Sequence, residues 1–194
     1  MSEFELYFTL GREHILDING YDHILFVVAL CAIYQIKDWK NVLILITAFT
    51  IGHSVTLALA VLDLIKVNKS LIEFLIPVTI FITALFNIAK GGSGNSTSRI
   101  NLNYLFALFF GLIHGLGFSN YLKSLLGKNQ DLITQLFAFN VGIEVGQLLI
   151  VAVTMVLGFI TIDIFNRSQR DWNLIISSAV GGVAIILMLE TKFW

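Results

Sequence analysis

Residues 41–63, NVLILITAFTIGHSVTLALAVLD, carry a single imidazole, His53, inside an apolar run that meets no charge before Asp63. An α-helix rises 1.5 Å per residue, so about 20 such residues cover the roughly 30 Å of hydrocarbon in a bilayer. The stretch reads as a membrane-spanning helix, and its histidine falls near the bilayer midplane. A polar side chain there costs about 2.5 kcal/mol or more, so it is expected to face a bundle interior or an aqueous cavity and to find a partner.

Five further stretches pass the same length test: 18–36, 71–89, 102–122, 133–163 and 172–191. Together they predict an all-α integral membrane protein, a bundle of about six transmembrane helices forming one polytopic domain over residues 1–194. The run 133–163 is long enough to tilt or protrude. The connectors 37–40, 64–70, 91–98, 119–131 and 166–171 are short and polar, which predicts antiparallel neighbours. No linker is long enough to separate domains, and no repeat of 20 to 50 residues is evident.

Composition agrees. The chain is 57% hydrophobic and 13% charged, with a mean hydropathy of +0.85, whereas soluble domains are roughly 45 to 50% apolar and about 25% charged. A soluble fold of 194 residues could not hide that much apolar surface, but a bilayer makes hiding it unnecessary. The net charge of −1, with no basic block, argues against nucleic acid as a partner and against strong adsorption to anionic lipid surfaces. Cys31 is the only cysteine, which excludes an intrachain disulfide and disfavours a thiolate metal site. It reads as a packing residue. Met1-Ser2-Glu3-Phe4-Glu5 carries acids where a secretory signal carries lysine or arginine, so the first helix is expected to be retained.

In the six-helix arrangement Arg12, Lys66, Lys69, Lys123, Lys128 and Lys192 fall on one side, and Lys37, Lys40, Lys90, Arg99, Arg167 and Arg170 on the other. This balance does not orient the protein; the acidic start favours an N-terminus outside the cytoplasm, although acids contribute little to the rule.

The chemistry lies in the histidines. His14, His23, His53 and His114 are the full set, and each is in or at the edge of an apolar segment. A lone histidine in a soluble protein is usually a surface or core residue without a ligand, but four in apolar segments call for a common explanation. Acids accompany them. In Gly11-Arg12-Glu13-His14-Ile15-Leu16-Asp17-Ile18-Asn19-Gly20-Tyr21-Asp22-His23, the pairs His14/Asp17 and Asp17/Asp22 are close enough to converge on a helical or partly unwound segment, the i, i+3 spacing of the first putting both side chains on one helix face. A carboxylate beside an imidazole either joins it at a metal or orients its ring. The plainer alternative is a solvated helix start at Glu13, His14 and Asp17, with Asp17 or Asn19 capping it.

Gly52 before His53 allows close helix approach, with hydroxyls nearby. Phe110-Gly111-Leu112-Ile113-His114-Gly115-Leu116-Gly117-Phe118 surrounds His114 with glycines, which suits either close packing or a helix distortion exposing carbonyls to a cavity. In 133–163, Asn140, Glu144 and Gln147 share one face at i, i+4 and i+3. They form either part of a site or an interhelix hydrogen-bonded clamp. Glu73 is a secondary candidate that can instead snorkel to the interface. Neutral imidazole with carboxylate oxygen suits borderline divalent ions such as zinc, nickel, cobalt or iron. The lack of clustered cysteine disfavours Cu(I), and magnesium or calcium would want mostly oxygen ligands.

Gly20-Tyr21-Asp22-His23-Ile24-Leu25-Phe26, Phe49-Thr50-Ile51-Gly52-His53-Ser54, the glycine-rich stretch around His114 and Phe139-Asn140-Val141-Gly142-Ile143-Glu144-Val145-Gly146-Gln147 together resemble the HupE/UreJ family over approximately residues 11–150. That family comprises bacterial membrane proteins associated with hydrogenase and urease accessory systems and regarded as nickel or cobalt permeases. The resemblance implies metal uptake across the bacterial inner (cytoplasmic) membrane by a multi-pass protein. It assigns His14, Asp22, His23, His53, His114 and Glu144 as metal-handling residues; Asp17, Asn140, Gln147 and Glu73, read from their spacing alone, are kept as supporting or secondary candidates.

The same residues permit three readings. In a permease they form a transient site for a divalent transition metal ion, nickel, cobalt or zinc, exposed to each side in turn. In an intramembrane zinc hydrolase, three ligands would hold the metal and Glu144 or Asp22 would act as general base. In a structural subunit the histidines would only clamp helices. Metal ion and lipid bilayer are the expected partners, and a homo-oligomer is compatible with the sequence, which sets no oligomeric state.

Overall fold

The computed structural model describes residues 2–91, 97–125 and 132–194, the side chains of residues 97–102 and 120 excepted. Seven α-helices run through them: α1 (Glu3–Leu16), α2 (Asp22–Cys31), α3 (Trp39–Val61), α4 (Lys69–Lys90), α5 (Thr97–Leu125), α6 (Leu132–Phe159) and α7 (Gln169–Glu190). A 3-10 turn, Ile36–Asp38, leads into α3, and a π-helical turn, Ile160–Ile164, extends α6. Connector residues 92–96 and 126–131, Lys128 among them, lie outside the described residues.

Among the described residues, four helical segments are long and apolar enough to cross a membrane: Ile36–Val61, Lys69–Lys90, Leu132–Ile164 and Gln169–Glu190. The chain is an all-α integral membrane protein. The expected count of about six spans is not confirmed: of the two remaining stretches, one holds the short apolar helix Asp22–Cys31 and the other lies within α5, whose apolar part among the described residues is Asn103–Ser119.

The single helix expected over 18–36 is corrected. Helix α1 starts earlier, on a capping box in which the Ser2 hydroxyl and the Glu5 carboxylate accept each other's backbone N–H. It ends at Leu16, where Asp17 turns extended and its carboxylate accepts the Asn19 N–H at 2.9 Å. Such an Asx turn offers the backbone an alternative to helix. The chain re-enters helix only at Asp22.

Two helix pairs approach backbone to backbone. Between α3 and α5, a Cβ on Gly52 would overlap the Leu108 carbonyl, one on Gly111 the Phe49 carbonyl, and one on Gly115 the His53 carbonyl. Between α1 and α6, a Cβ on Gly11 would overlap the Phe139 carbonyl and one on Gly142 the Phe8 carbonyl. The two seams follow one pattern: Phe49-Gly52-His53 meets Gly111 as Phe8-Gly11-Arg12 meets Gly142. In lipid no hydrophobic force drives helices together, so close approach through small residues supplies the van der Waals contact.

The contacts also fix directions. Both partners of α3/α5 run toward the end where Lys123 pairs with Asp63, and both partners of α1/α6 start there, where the Tyr7 hydroxyl donates to the Leu125 carbonyl at 3.3 Å. At this water-facing end the hydrogen bond from Lys123, with its charge, holds the Asp63 carboxyl below the usual range. Helix α4 starts at the Asp63 end and α7 returns to it, where Trp194 meets Phe74 edge to face with centroids 4.9 Å apart. At the opposite end Lys90 donates to Asn103 at 3.0 Å and Gln169 to the Ala32 carbonyl at 3.2 Å. Buried Asn87 and Asn173 tie α2, α4 and α7 together, Asn87 donating to the Ala29 carbonyl and Asn173 to the Asn87 carbonyl, both at 2.7 Å.

Candidate metal-handling site

The break at 17–21 has a direct consequence for the histidines. On a continuous helix His14 and His23 would stand roughly 13 Å apart along the axis. Instead their ring centroids are 4.6 Å apart. His53, beside the Gly52 seam, and His114, beside Gly115, complete the group, with centroids 5.9 Å from His23 to His53, 5.1 Å from His23 to His114 and 6.1 Å from His14 to His53. His53 and His114 are fully buried, His23 nearly so, and His14 half-buried. His114 Nε2 lies 3.0 Å from the hydroxyl of Thr79, at the midpoint of α4, so the cluster sits at mid-depth of the bundle.

Asp22 belongs to this group. Its Oδ1 lies 2.9 Å from His23 Nδ1 and also accepts the His23 backbone N–H at 2.8 Å. In the neutral ring Nδ1 then carries the proton and Nε2 the lone pair. His23 Nε2, His14 Nε2, both nitrogens of His53 and His114 Nδ1 are buried and have no hydrogen-bond partner among the described residues. Buried polar atoms are nearly always paired, so a cluster of unpaired imidazole nitrogens at one place points to a ligand. Among the described residues, however, no three His, Cys, Asp or Glu side chains converge closely enough to hold a metal ion as they stand.

Phenylalanines bound the cluster on both sides. Toward the Asp63 end, Phe118 lies on His14 with centroids 3.8 Å apart and stacks on Phe139 at 5.3 Å. Toward the Lys90 end, each of three histidines has a phenylalanine about one helical turn away: Phe26 beyond His23, Phe49 before His53 and Phe110 before His114. Since α2 runs toward that end and α3 and α5 run away from it, all three rings fall in one layer. Their centroids are 4.9 Å apart for Phe26 and Phe49 and 5.9 Å for Phe26 and Phe110, and Phe26 and Phe49 lie 5.0 and 5.2 Å from His114. All three are buried.

A cleft of about 950 Å³ lined by Arg12, Glu13, His14, Asp17, Phe118 and Tyr121 leads to His14. A second, of about 370 Å³, brings Asp22 and Glu73 to one surface with Asn19, Pro77 and Thr191. Beyond the phenylalanine layer lies a cavity of about 70 Å³, bordered by Phe110, Leu45, Thr83, Asn87, Asn103 and Tyr34, and a third cleft, of about 310 Å³, runs beside α2 between Leu16, Val28, Leu157 and Trp172.

The other expected site residues are elsewhere. Glu144 accepts a hydrogen bond from Thr47 at 2.8 Å, and Gln147 one from Thr50 at 2.8 Å, so these side chains bridge α6 to α3. Asn140 donates to the Leu136 carbonyl of its own helix at 2.8 Å. Asp17 is exposed, caps the break and lines the cleft beside His14. Glu73 is exposed and pairs with Lys69 at 3.3 Å. Sequence reasoning missed Thr79 and the phenylalanine layer, although Phe49/His53 and Phe110/His114 share one i, i+4 spacing that was there to be read.

A family model described as HupE / UreJ protein matches residues 1–193. No curated protein matches the chain, and no solved structure does.

Proposed function

The chain belongs to the HupE/UreJ family, and from that premise we propose that it is a permease for a divalent transition metal of the nickel/cobalt type, acting in the bacterial cytoplasmic membrane. The observation that carries this reading is the buried group of unpaired imidazole nitrogens, with a cleft at His14 on one side and a layer of buried phenylalanines on the other. Helices α1 and α2 act as one discontinuous crossing and α3 to α7 as five more, with the site at the break. Discontinuous helices meeting near the midplane are a recurrent arrangement in secondary transporters.

The cargo ion enters by the cleft that Glu13 and Asp17 line beside His14, and exchanges water for that imidazole. It then passes to His23, His53 and His114, with Asp22 holding the His23 ring. Ligands that do not converge into a closed site suit a cargo that must leave again. Nothing in this arrangement favours the zinc hydrolase, which needs three ligands on one ion and an open water position. Glu144 is assigned to the α3/α6 contact.

The test is uptake of nickel or cobalt into proteoliposomes that enclose a metal-sensitive dye. Protons compete with metal for imidazole nitrogens, so uptake is expected to fall as the entry side is made progressively more acidic. Uptake that acidification leaves unchanged, or that is absent for every divalent metal tried, contradicts the proposal. A layer of phenylalanines excludes water and bars an ion until the rings part. Phe110→Ala is therefore expected to raise passive metal efflux from loaded vesicles several-fold over wild type. Unchanged efflux in a folded variant removes the layer from the path.

A further inference from the structure

We propose that Thr79 is a positioning residue that fixes His114 as its Nε2–H tautomer, so that Nδ1 is the atom His114 offers to the cargo ion. The proposal deepens the permease reading and rests on it.

The argument follows one proton. A threonine hydroxyl has one hydrogen to donate and lone pairs to accept with, and a carbonyl can only accept. The Thr79 hydroxyl lies 2.7 Å from the Ile76 carbonyl of its own helix and 3.0 Å from His114 Nε2 on α5. The shorter contact takes the hydroxyl hydrogen. Toward His114 only lone pairs remain, so Nε2 must be the donor. A neutral ring protonated at Nε2 has its lone pair at Nδ1, and His114 Nδ1 is buried with no hydrogen-bond partner among the described residues. Donation from Thr79 to Nε2 instead would give up the 2.7 Å bond and turn Nδ1 into a buried, unpaired N–H facing the other histidines.

The local sequence makes Thr79 a fixed acceptor. Threonine is stiff at χ1, and in a helix its hydroxyl can lock onto a carbonyl of the preceding turn. Pro77, two residues earlier, has no N–H to contribute to that turn. Thr83 repeats the motif, donating to the Thr79 carbonyl at 2.8 Å. Thr79 is 2% exposed, so water does not compete for its hydroxyl.

Asp22 acts on His23 in the opposite sense, holding Nδ1–H and freeing Nε2. The two rings thus present different nitrogens to the same space, each set by a neighbour that binds through the far side of the ring. Such outer partners typically change metal affinity by about 10- to 100-fold.

The experiment compares wild type with Thr79→Ser, Thr79→Val and Thr79→Ala in detergent, using two readouts. Nitrogen-15 NMR of histidine-labelled, metal-free protein reports the His114 tautomer, with His114→Gln supplying the assignment. Titration with cobalt or nickel alone reports affinity. Wild type and Thr79→Ser are expected to show one tautomer with the proton on Nε2. Thr79→Val keeps the side-chain volume but removes the acceptor, and is expected to lose that single tautomer and to bind about 10- to 100-fold more weakly, as is Thr79→Ala. A folded Thr79→Val with the wild-type tautomer and affinity overturns the proposal. If wild type takes up no metal while Thr79→Val still changes the tautomer, the positioning role stands and the permease reading is the part that fails.

Discussion

His53→Leu is expected to abolish metal uptake while leaving the metal-free protein more stable than wild type. His53 is 0% exposed and neither ring nitrogen has a hydrogen-bond partner among the described residues. A buried, unpaired polar group costs about 1–3 kcal/mol, and leucine fills a similar volume without that cost. The ring therefore weakens the fold it sits in, and a residue kept against stability is one retained for another task. The loss in affinity should be about 100-fold or more, because removing a ligand costs at least as much as removing its orienting partner. Thermal unfolding in detergent, with and without cobalt, checks both halves. Wild type should be stabilised by metal and His53→Leu should not. A variant that unfolds below wild type in the absence of metal would return His53 to a purely structural role.

Gly111→Ala is expected to destabilise the protein by about 3 kcal/mol, the upper end of the usual overpacking cost. The added Cβ would overlap the Phe49 carbonyl and crowd the His53 nitrogen. Those are backbone atoms of the facing helix and cannot rotate away, so α3 and α5 must separate. The displacement would move His53 and His114 together, because each adjoins a seam glycine. Uptake should fall with stability, unlike the case of His53→Leu, where the two part. Gly182→Ala is the control: a Cβ there meets nothing within 4 Å, and helix propensity alone predicts a change of up to about 1 kcal/mol in favour of alanine. Equal effects at the two positions in a denaturation series would mean that the seam does not hold the pair.

Particular residues show how far the sequence could be read. The helical membrane class was legible because stretches such as 41–63 carry almost nothing but apolar side chains. The histidine cluster was legible because every histidine lies in or beside such a stretch. The first helix was not, because a length-and-hydropathy test averages over Asp17, Asn19 and Gly20, the residues that end α1, and passes over α1 itself with its charged Glu3, Glu5, Arg12 and Glu13. Glu144 was placed with the metal on family grounds. Its i, i+4 stripe identifies a face of α6 but not the helix that meets it, and that helix presents Thr47. Thr79 gave no signal: threonines are ordinary in membrane helices, and its partner is 35 positions away. Pairings of that kind are set by which helices touch, which no local pattern encodes.

The central claim, that these histidines receive a transition metal in the membrane, is tested most directly by X-ray absorption spectroscopy of the cobalt-loaded protein beside His53→Ala and His114→Ala. The account predicts the multiple-scattering signature of imidazole ligands in wild type, diminished in each variant. A spectrum of oxygen ligands alone, or one identical in all three proteins, would contradict it.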